Sequence, residues 1–290
     1  MDFQRNPKLL TEVLRKISAK GWDKGQAVRA GKVIEILGKG ILVTEVNELH
    51  IEHLCTTLES RGFAGSTINR YLASLSKMLS YAKQKHSIYH LDRIPHIEWH
   101  EEGKARIRYM QPEEEEEMIQ LLIKHDKADY LNFYLFLLDT GMRLSEALYL
   151  KLENIGDMQG SKYAILEHTK NGDTRSVPLT ERATKIVADN TKHSERTDRI
   201  FNLNIWTVEK NWRWLRAMMK LEDDKQFVIH CLRHTTASRL AQSGQVEMHL
   251  IQNWLGHRTN AMTMRYAHLK PSSLLGGVDV LNVLNKKPCG

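Results

Sequence analysis

Ser161-Lys162-Tyr163-Ala164-Ile165-Leu166-Glu167-His168-Thr169-Lys170-Asn171-Gly172-Asp173-Thr174-Arg175-Ser176-Val177-Pro178-Leu179 is where the chain changes period. Tyr163 and Ile165 on one side, and Val177 and Leu179 on the other, alternate with other residues as on a half-buried strand. Between them stands Asn171-Gly172, a pair that tolerates the left-handed backbone of a tight turn. The spacing predicts a β-hairpin over 161–179, with Lys170 beside its tip. The sequence on either side reads as helix. The predicted fold is therefore mainly α, with a small antiparallel sheet set into a mostly helical domain.

Upstream, a helix from about 130 to 139 ends before Gly141, and another begins near Ser145. Pro112 followed by Glu113–Glu117 reads as a helix start, because proline suits the first turn and carboxylates complement the dipole there. That acidic run is read as structural, not as a metal site. Residues 92–108 lose periodicity and contain Pro95 and Gly103, as a linker does. Before them, helical spacing covers 8–20 and 24–36. A third helix capped by Asn47 carries Ile51, Leu54 and Leu58, and a fourth capped by Ser66 carries Ile68, Leu72, Leu75 and Leu79. After residue 180 the chain is helical again, with turns near Gly244 and Gly256. The expected organisation is an all-helical N-terminal domain over 1–94, a linker over 95–108, a second domain over 109–270 and a tail over 271–290.

A chain of 290 residues has room for two such domains. Hydrophobic residues at 41% and charged residues at 27% exclude general disorder. The longest apolar stretch, Tyr130–Leu138, is broken by Asn132 and falls far short of the ~20 residues that span a bilayer. Met1-Asp2-Phe3-Gln4-Arg5 lacks the apolar core of a signal peptide. Three cysteines, Cys55, Cys231 and Cys289, argue against a disulfide framework and fit a reducing cytoplasm. Subtracting 35 acidic from 42 basic residues gives a net charge of +7, which suits a nucleic-acid partner and equally a merely basic soluble protein. On the N-terminal helices Arg61, Arg70, Lys77 and Lys83 are either a solvated polar face or contacts to DNA phosphates. The scarcity of acidic residues between Arg61 and His90 favours the second.

Four segments concentrate chemistry-bearing residues. They are Thr140-Gly141-Met142-Arg143-Leu144-Ser145-Glu146; His168-Thr169-Lys170-Asn171-Gly172; His230-Cys231-Leu232-Arg233-His234-Thr235; and Leu255-Gly256-His257-Arg258, followed by Met264-Arg265-Tyr266-Ala267-His268. Together they resemble the tyrosine recombinase/integrase family, the DNA breaking-and-rejoining enzymes of phage integrases and Xer-type resolvases. That pattern is an Arg in T-G-x-R-x-S-E, a Lys in a β-hairpin, H-x-x-R, L-G-H and a Tyr about nine residues later. Arg143, Lys170, His230, Arg233, His257 and Tyr266 fill it in order. The catalytic resemblance covers about 110 to 270, and the N-terminal helices resemble the family's core-binding domain.

The resemblance implies a site-specific DNA recombinase with a covalent 3′-phosphotyrosine intermediate on Tyr266, integrating or excising a phage or other mobile element, or acting as a Xer-like resolvase. It implies double-stranded DNA with a defined crossover site, clamped between the two domains. It also implies four protomers exchanging strands through a Holliday junction, with an accessory DNA-bending protein as a further candidate partner. After Pro271 the apolar tail Leu274, Leu275, Val278, Val280, Leu281, Val283 and Leu284 would dock on a neighbouring protomer or fold back on its own. About twenty residues precede the proposed core-binding helices, too few for a separate arm-binding domain.

The residue types fit the chemistry independently. Attack on a phosphodiester builds charge on its non-bridging oxygens, and two guanidinium forks, Arg143 and Arg233, can clamp them. A phenol with a pKa near ~10 needs cations or a base before it attacks. Lys170 can protonate the leaving 5′ oxygen, His230 is placed as base and His257 to hydrogen-bond the phosphate. No step calls for a metal or nucleotide, so no cofactor is expected. A zinc site from His230, Cys231, His234 and His257 is disfavoured, because the metalloprotease glutamate and paired cysteines are missing. His234 reads as a packed, hydrogen-bonded helix residue. Trp206, Trp212 and Trp214 read as core, with Lys210, Arg213 and Arg216 outward. Two rival functions remain, a type IB topoisomerase using the same chemistry and a catalytically silent DNA-binding protein on the same fold.

Overall fold

A computed structural model describes residues 8–102, 107–158, 160–167, 174–191 and 198–269. The chain divides into two compact units, Met1–Ala105 and Arg106–Gly290.

Among its described residues the first unit holds five helices: α1 (Leu10–Ser18), α2 (Lys24–Leu37), α3 (Glu48–Ser60), α4 (Gly65–Gln84) and α5 (His86–Tyr89). Two starts follow the capping rule. The Asp23 carboxylate accepts the Gln26 N–H at 3.0 Å, and the Asn47 side chain accepts the His50 N–H at 3.2 Å. The start of α4 differs from expectation. The Ala64 carbonyl already accepts the N–H groups of Thr67 and Ile68, so Ala64 is the cap and Ser66 lies inside the first turn. The twenty residues of α4 form the spine of the unit, burying Ile68, Leu72, Leu75, Met78 and Leu79 against α1 and α2. Where the sequence suggests a linker, residues 95–102 lie along this unit. Pro95 is buried, and the Asn69 amide grips both backbone groups of His100 at 2.9 Å.

The second unit begins with α6 (Pro112–Lys124) and α7 (Ala128–Thr140). The acidic run of α6 is engaged structurally. Glu114 caps the helix by accepting the Gln111 N–H and pairs with Arg108, while Glu115 pairs with Arg182 and Arg239. Phe133, Tyr134, Phe136 and Leu137 make α7 the centre of the core. A short α8 (Leu144–Leu148) leads to a three-stranded antiparallel sheet: β1 (Ile155–Met158), β2 (Ser161–Leu166) and β3 (Arg175–Pro178). The expected hairpin is β2–β3, in register Ala164 with Val177. Strand β1, paired Ile155 to Ala164, is an addition the alternation did not signal. Five helices follow: α9 (Glu181–Thr191), α10 (Ile205–Met218), α11 (His230–Gln242), α12 (Met248–Leu255) and α13 (Asn260–Met264). This is the mainly helical fold with a small antiparallel sheet expected from the sequence.

The tryptophan cluster divides. Trp212 is buried and donates its indole N–H to the Phe227 carbonyl at 3.1 Å. Trp214 packs partly buried on the core under the Lys127 ammonium. Trp206, in the first turn of α10, is 76% exposed and is not core. Arg216 also turns inward, donating to the carbonyls of Leu221, Glu222 and Asp224 at a helix end. No helix among the described residues is long and apolar enough to cross a membrane.

Candidate active site

The first turn of α11 sets the site. His230, Arg233 and His234, spaced i, i+3 and i+4, lie on one face, while Cys231 and Leu232 enter the core. Burial pushes the Cys231 thiol up to about 12, and the side chain sits among apolar residues, so it is not part of a histidine cluster. Among the described residues, no group of three or more His, Cys, Asp or Glu side chains converges on a common point as metal ligands would.

Arg233 is 3% exposed. Its guanidinium donates from Nη1 to the Gly141 carbonyl at 2.7 Å and from Nη2 to the Leu255 carbonyl at 2.5 Å. These carbonyls end α7 and α12. A buried cation there meets the negative poles of two helices. Burial, then the charges of Arg143 and Arg175, push its pKa below the usual guanidinium value. An arginine carries five N–H donors, so two committed bonds leave donors for a phosphate oxygen.

Gly141 has φ +63°, and a Cβ there would fall 2.9 Å from Leu255 Cδ2. A glycine therefore ends α7 and lets α12 approach. Arg143 follows as the residue before α8. Its backbone N–H and its Nη1 both donate to Glu146, at 2.8 and 2.7 Å, and Nη2 donates to the Gly256 carbonyl at 3.2 Å. Arg175, the first residue of β3, grips the same carboxylate with two bonds at 3.0 and 2.7 Å and donates to the Trp254 carbonyl. Burial alone would raise the Glu146 pKa. The bonds and charge of Arg175, with those of Arg143, outweigh it and hold the group down at about 2. Gly256, at φ +63°, passes so near Arg175 that a Cβ would lie 2.8 Å from its Cδ.

His257 follows directly, with Nδ1 2.9 Å from the buried Thr263 hydroxyl. Tyr266 comes just after α13 and is 2% exposed. Its ring lies nearly parallel to that of His257, with centroids 6.4 Å apart and an angle of 9°. Its hydroxyl lies 2.5 Å from Nδ1 of His234. His230 stands edge-on to His234, centroids 4.8 Å apart. Desolvation, followed by nearby cations, lowers all three imidazoles: His230 and His234 to about 4 and His257 to about 3. At neutral pH the centre therefore combines fixed cations with uncharged bases. Burial raises the phenol of Tyr266, against the opposing pull of Arg265 and Arg233.

Five of the six residues singled out in the sequence thus meet: Arg143, His230, Arg233, His257 and Tyr266. Lys170 lies outside the described residues, as does the tail 271–290. Sequence reasoning gave Glu146 no role beyond its place in the Thr140–Glu146 segment, and took Arg175, like Lys162 and Arg182, only as a cation near the hairpin that could rival Lys170. The surface candidates of the first unit sit at several positions on α3 and α4. Arg70 and Lys77, seven residues apart, share a face of α4, where the Lys77 ammonium sits 5.2 Å over the Trp22 ring. Lys83 lies on a different face, and Arg61 ends α3. All four are exposed, and α4 carries no acidic residue. An apolar cavity of about 590 Å³ opens beside His230 and Arg233, lined by Leu137, Met142, Trp206 and Val228 among others.

The chain matches the Phage integrase family over residues 108–273. It is 27% identical over 215 residues to the shufflon-specific DNA recombinase of Escherichia coli, covering 74% of this chain and 54% of that protein. It is 27% identical over 279 residues to the integrase of Escherichia phage P2, covering 92% of this chain and 77% of that one. Against the first of these relatives the chain spans little more than half its length. In fold it resembles the Tn1549 transposon integrase in complex with transposon right end DNA, with a TM-score of 0.71 at 16% identity over 95% of this chain and 100% of that one. It also resembles the XerH site-specific recombinase bound to difH substrate, with a TM-score of 0.67 at 20% identity over 94% and 83%.

Proposed function

The chain belongs to the phage integrase family, and on that footing we propose that it is a site-specific DNA recombinase with Tyr266 as its nucleophile. The observation that carries this is the convergence of Tyr266 with two guanidinium groups and three uncharged imidazoles around one centre. Arg143 and Arg233 clamp the non-bridging oxygens of the scissile phosphate, where charge grows in the transition state. The tyrosine oxygen attacks phosphorus, leaving a 3′-phosphotyrosine and freeing the 5′ oxygen, which Lys170 protonates. His257 hydrogen-bonds the phosphate, and a histidine of α11 takes the phenol proton, His230 by its place in the motif. The phosphotyrosine conserves the bond energy, so rejoining needs no cofactor.

The substrate in this reading is duplex DNA carrying a specific attachment site, and the outcome is integration or excision of a phage or other mobile element. The N-terminal unit contacts phosphates through Arg61, Arg70, Lys77 and Lys83, and the chain beyond residue 102 leads to the catalytic domain over 109–270. Four protomers act together through a Holliday junction, and the tail 271–290 docks on a neighbour. The exposed apolar side chains Ile205, Trp206, Met218 and Val228 support a surface of that kind. The enzyme works in the cytoplasm, with a DNA-bending protein as a candidate assistant.

Covalent trapping in the host cell tests the reading. The tagged protein and its Tyr266→Phe form are expressed, the lysate is denatured, and DNA still attached to protein is sequenced at its ends. Adducts at one or a few sites, lost in the variant, are expected. Adducts scattered without sequence preference would favour a topoisomerase. Bound DNA without adducts would mark a silent binding protein.

A further inference from the structure

A buried phenol must give up its proton before its oxygen can bond to phosphorus. The groups around Tyr266 differ in their ability to take it. Arg233 and Arg265, whose charges reach the phenol, and Arg143 nearby are cations with no acceptor. The His257 ring runs parallel to that of the tyrosine with centroids 6.4 Å apart, and its Nδ1 is occupied by Thr263 instead of the phenol. His230 stands one ring further away, edge-on to His234. Among the described residues, His234 is the one whose ring nitrogen reaches the hydroxyl, at 2.5 Å.

We propose that His234 is the catalytic residue that receives the Tyr266 proton, a part the sequence motif gives to His230. This rests on the recombinase reading, since it requires Tyr266 to be the nucleophile. In cleavage the O–H bond of Tyr266 breaks as its oxygen bonds to phosphorus, and the proton passes to Nδ1 of His234. The bond from phosphorus to the 5′ oxygen breaks, and that oxygen takes a proton from Lys170. In rejoining, the 5′ hydroxyl attacks the phosphotyrosine and returns its proton to Lys170. The tyrosine oxygen then recovers its own from the His234 imidazolium.

The surroundings suit an acceptor that is neutral at rest. The groups facing His234 are His230, Arg233, Arg265 and Tyr266, none of them anionic, and with burial they keep the imidazole unprotonated above about pH 4. A bound phosphate brings the missing negative charge. An imidazolium is then tolerated at the moment of attack and not before.

The test is single-turnover cleavage by the full-length protein of a duplex carrying the sequence recovered by covalent trapping. Wild type, His234→Ala, His234→Asn and Tyr266→Phe are compared. Asparagine can hold the phenol from near the Nδ1 position but cannot take its proton. Both His234 variants are expected to retain DNA and cut on the order of 100-fold more slowly, as for loss of a general base. Their rates should climb steadily with pH above neutrality as the phenol ionises without an acceptor, while wild type stays level from about pH 6 to about pH 9. Millimolar imidazole should partly restore His234→Ala. Cleavage within a few fold of wild type, or slowing with a level pH profile and no imidazole rescue, would overturn the proposal. Adducts from Tyr266→Phe, or none from wild type, would instead remove the nucleophile itself, whatever the His234 variants do.

Discussion

Arg175 holds Glu146 through two side-by-side hydrogen bonds, at 3.0 and 2.7 Å, with both side chains about 10% exposed. The carboxylate so fixed also takes the backbone and side-chain donors of Arg143, and Arg175 donates to the carbonyl of Trp254, two residues before the Gly256 turn. One ion pair thereby ties β3 to the segments that carry Arg143 and His257.

Removing Arg175 takes away two charge-assisted bonds but leaves Glu146 paired with Arg143. Arg175→Ala should therefore cost about 2–3 kcal/mol of unfolding free energy. Arg175→Lys should recover only part, because an ammonium cannot offer the two-pronged fork. Denaturant midpoints of the three proteins check both statements.

The same carboxylate sets an acid limit. Its folded pKa of about 2 lies below the ordinary 4.5, so its contribution is complete above pH 4.5 and is lost as pH falls toward 2. Acid unfolding of wild type should be steeper in that window than that of Glu146→Gln. Parallel curves would refute the assignment.

The two arginines should separate chemistry from architecture. Arg143→Ala and Arg233→Ala should each slow cleavage by about 10²–10³-fold, the range seen when a preorganised transition-state donor is removed. Arg233→Ala should also lower the melting temperature further than Arg143→Ala, since it strands two buried helix-end carbonyls. Comparable melting of the two variants would argue against the bracing role.

Gly256→Ala should destabilise by about 1–2 kcal/mol from its left-handed backbone alone. It should also displace Arg175, which a Cβ would meet at 2.8 Å. Gly31→Ala, inside α2 with open space around it, is the control and should be neutral or stabilising. Chemical denaturation of both variants reads the difference.

Trp206→Glu should leave protomer stability within about 0.5 kcal/mol, because the side chain is 76% exposed. If the apolar surface around it receives a neighbour's tail, the mass of the assembled DNA complex should fall while DNA binding by the protomer persists. Light scattering of the complex decides, and an unchanged mass would place the tail elsewhere.

Much of this was legible in the chain because the signals were local. Asn47 caps α3 as its side chain dictates, and the alternation around Asn171-Gly172 becomes the β2–β3 ladder. Arg143, Arg233, His257 and Tyr266 could be picked as a set because their segments resemble the motifs of one enzyme family. The partners that hold them could not. Arg175 meets Glu146 across 29 residues and His234 meets Tyr266 across 32, distances at which no periodicity speaks. Strand β1 was invisible because Ile155-Gly156-Asp157-Met158 has no alternation to read. Trp206 misled for the opposite reason. Helical spacing groups it with Trp212 and Trp214, but only tertiary packing decides which ring is covered.

The placement of Arg233 between two helix ends bears on how a lineage of this protein could decay. Descendants that abandon strand cutting but keep gripping DNA can shed the Tyr266 hydroxyl with no gap opened in the interior. They cannot shed Arg233 so freely, since the carbonyls of Gly141 and Leu255 would be orphaned together. In silent copies of this gene, the nucleophile should erode first and this arginine should outlast the reaction it serves.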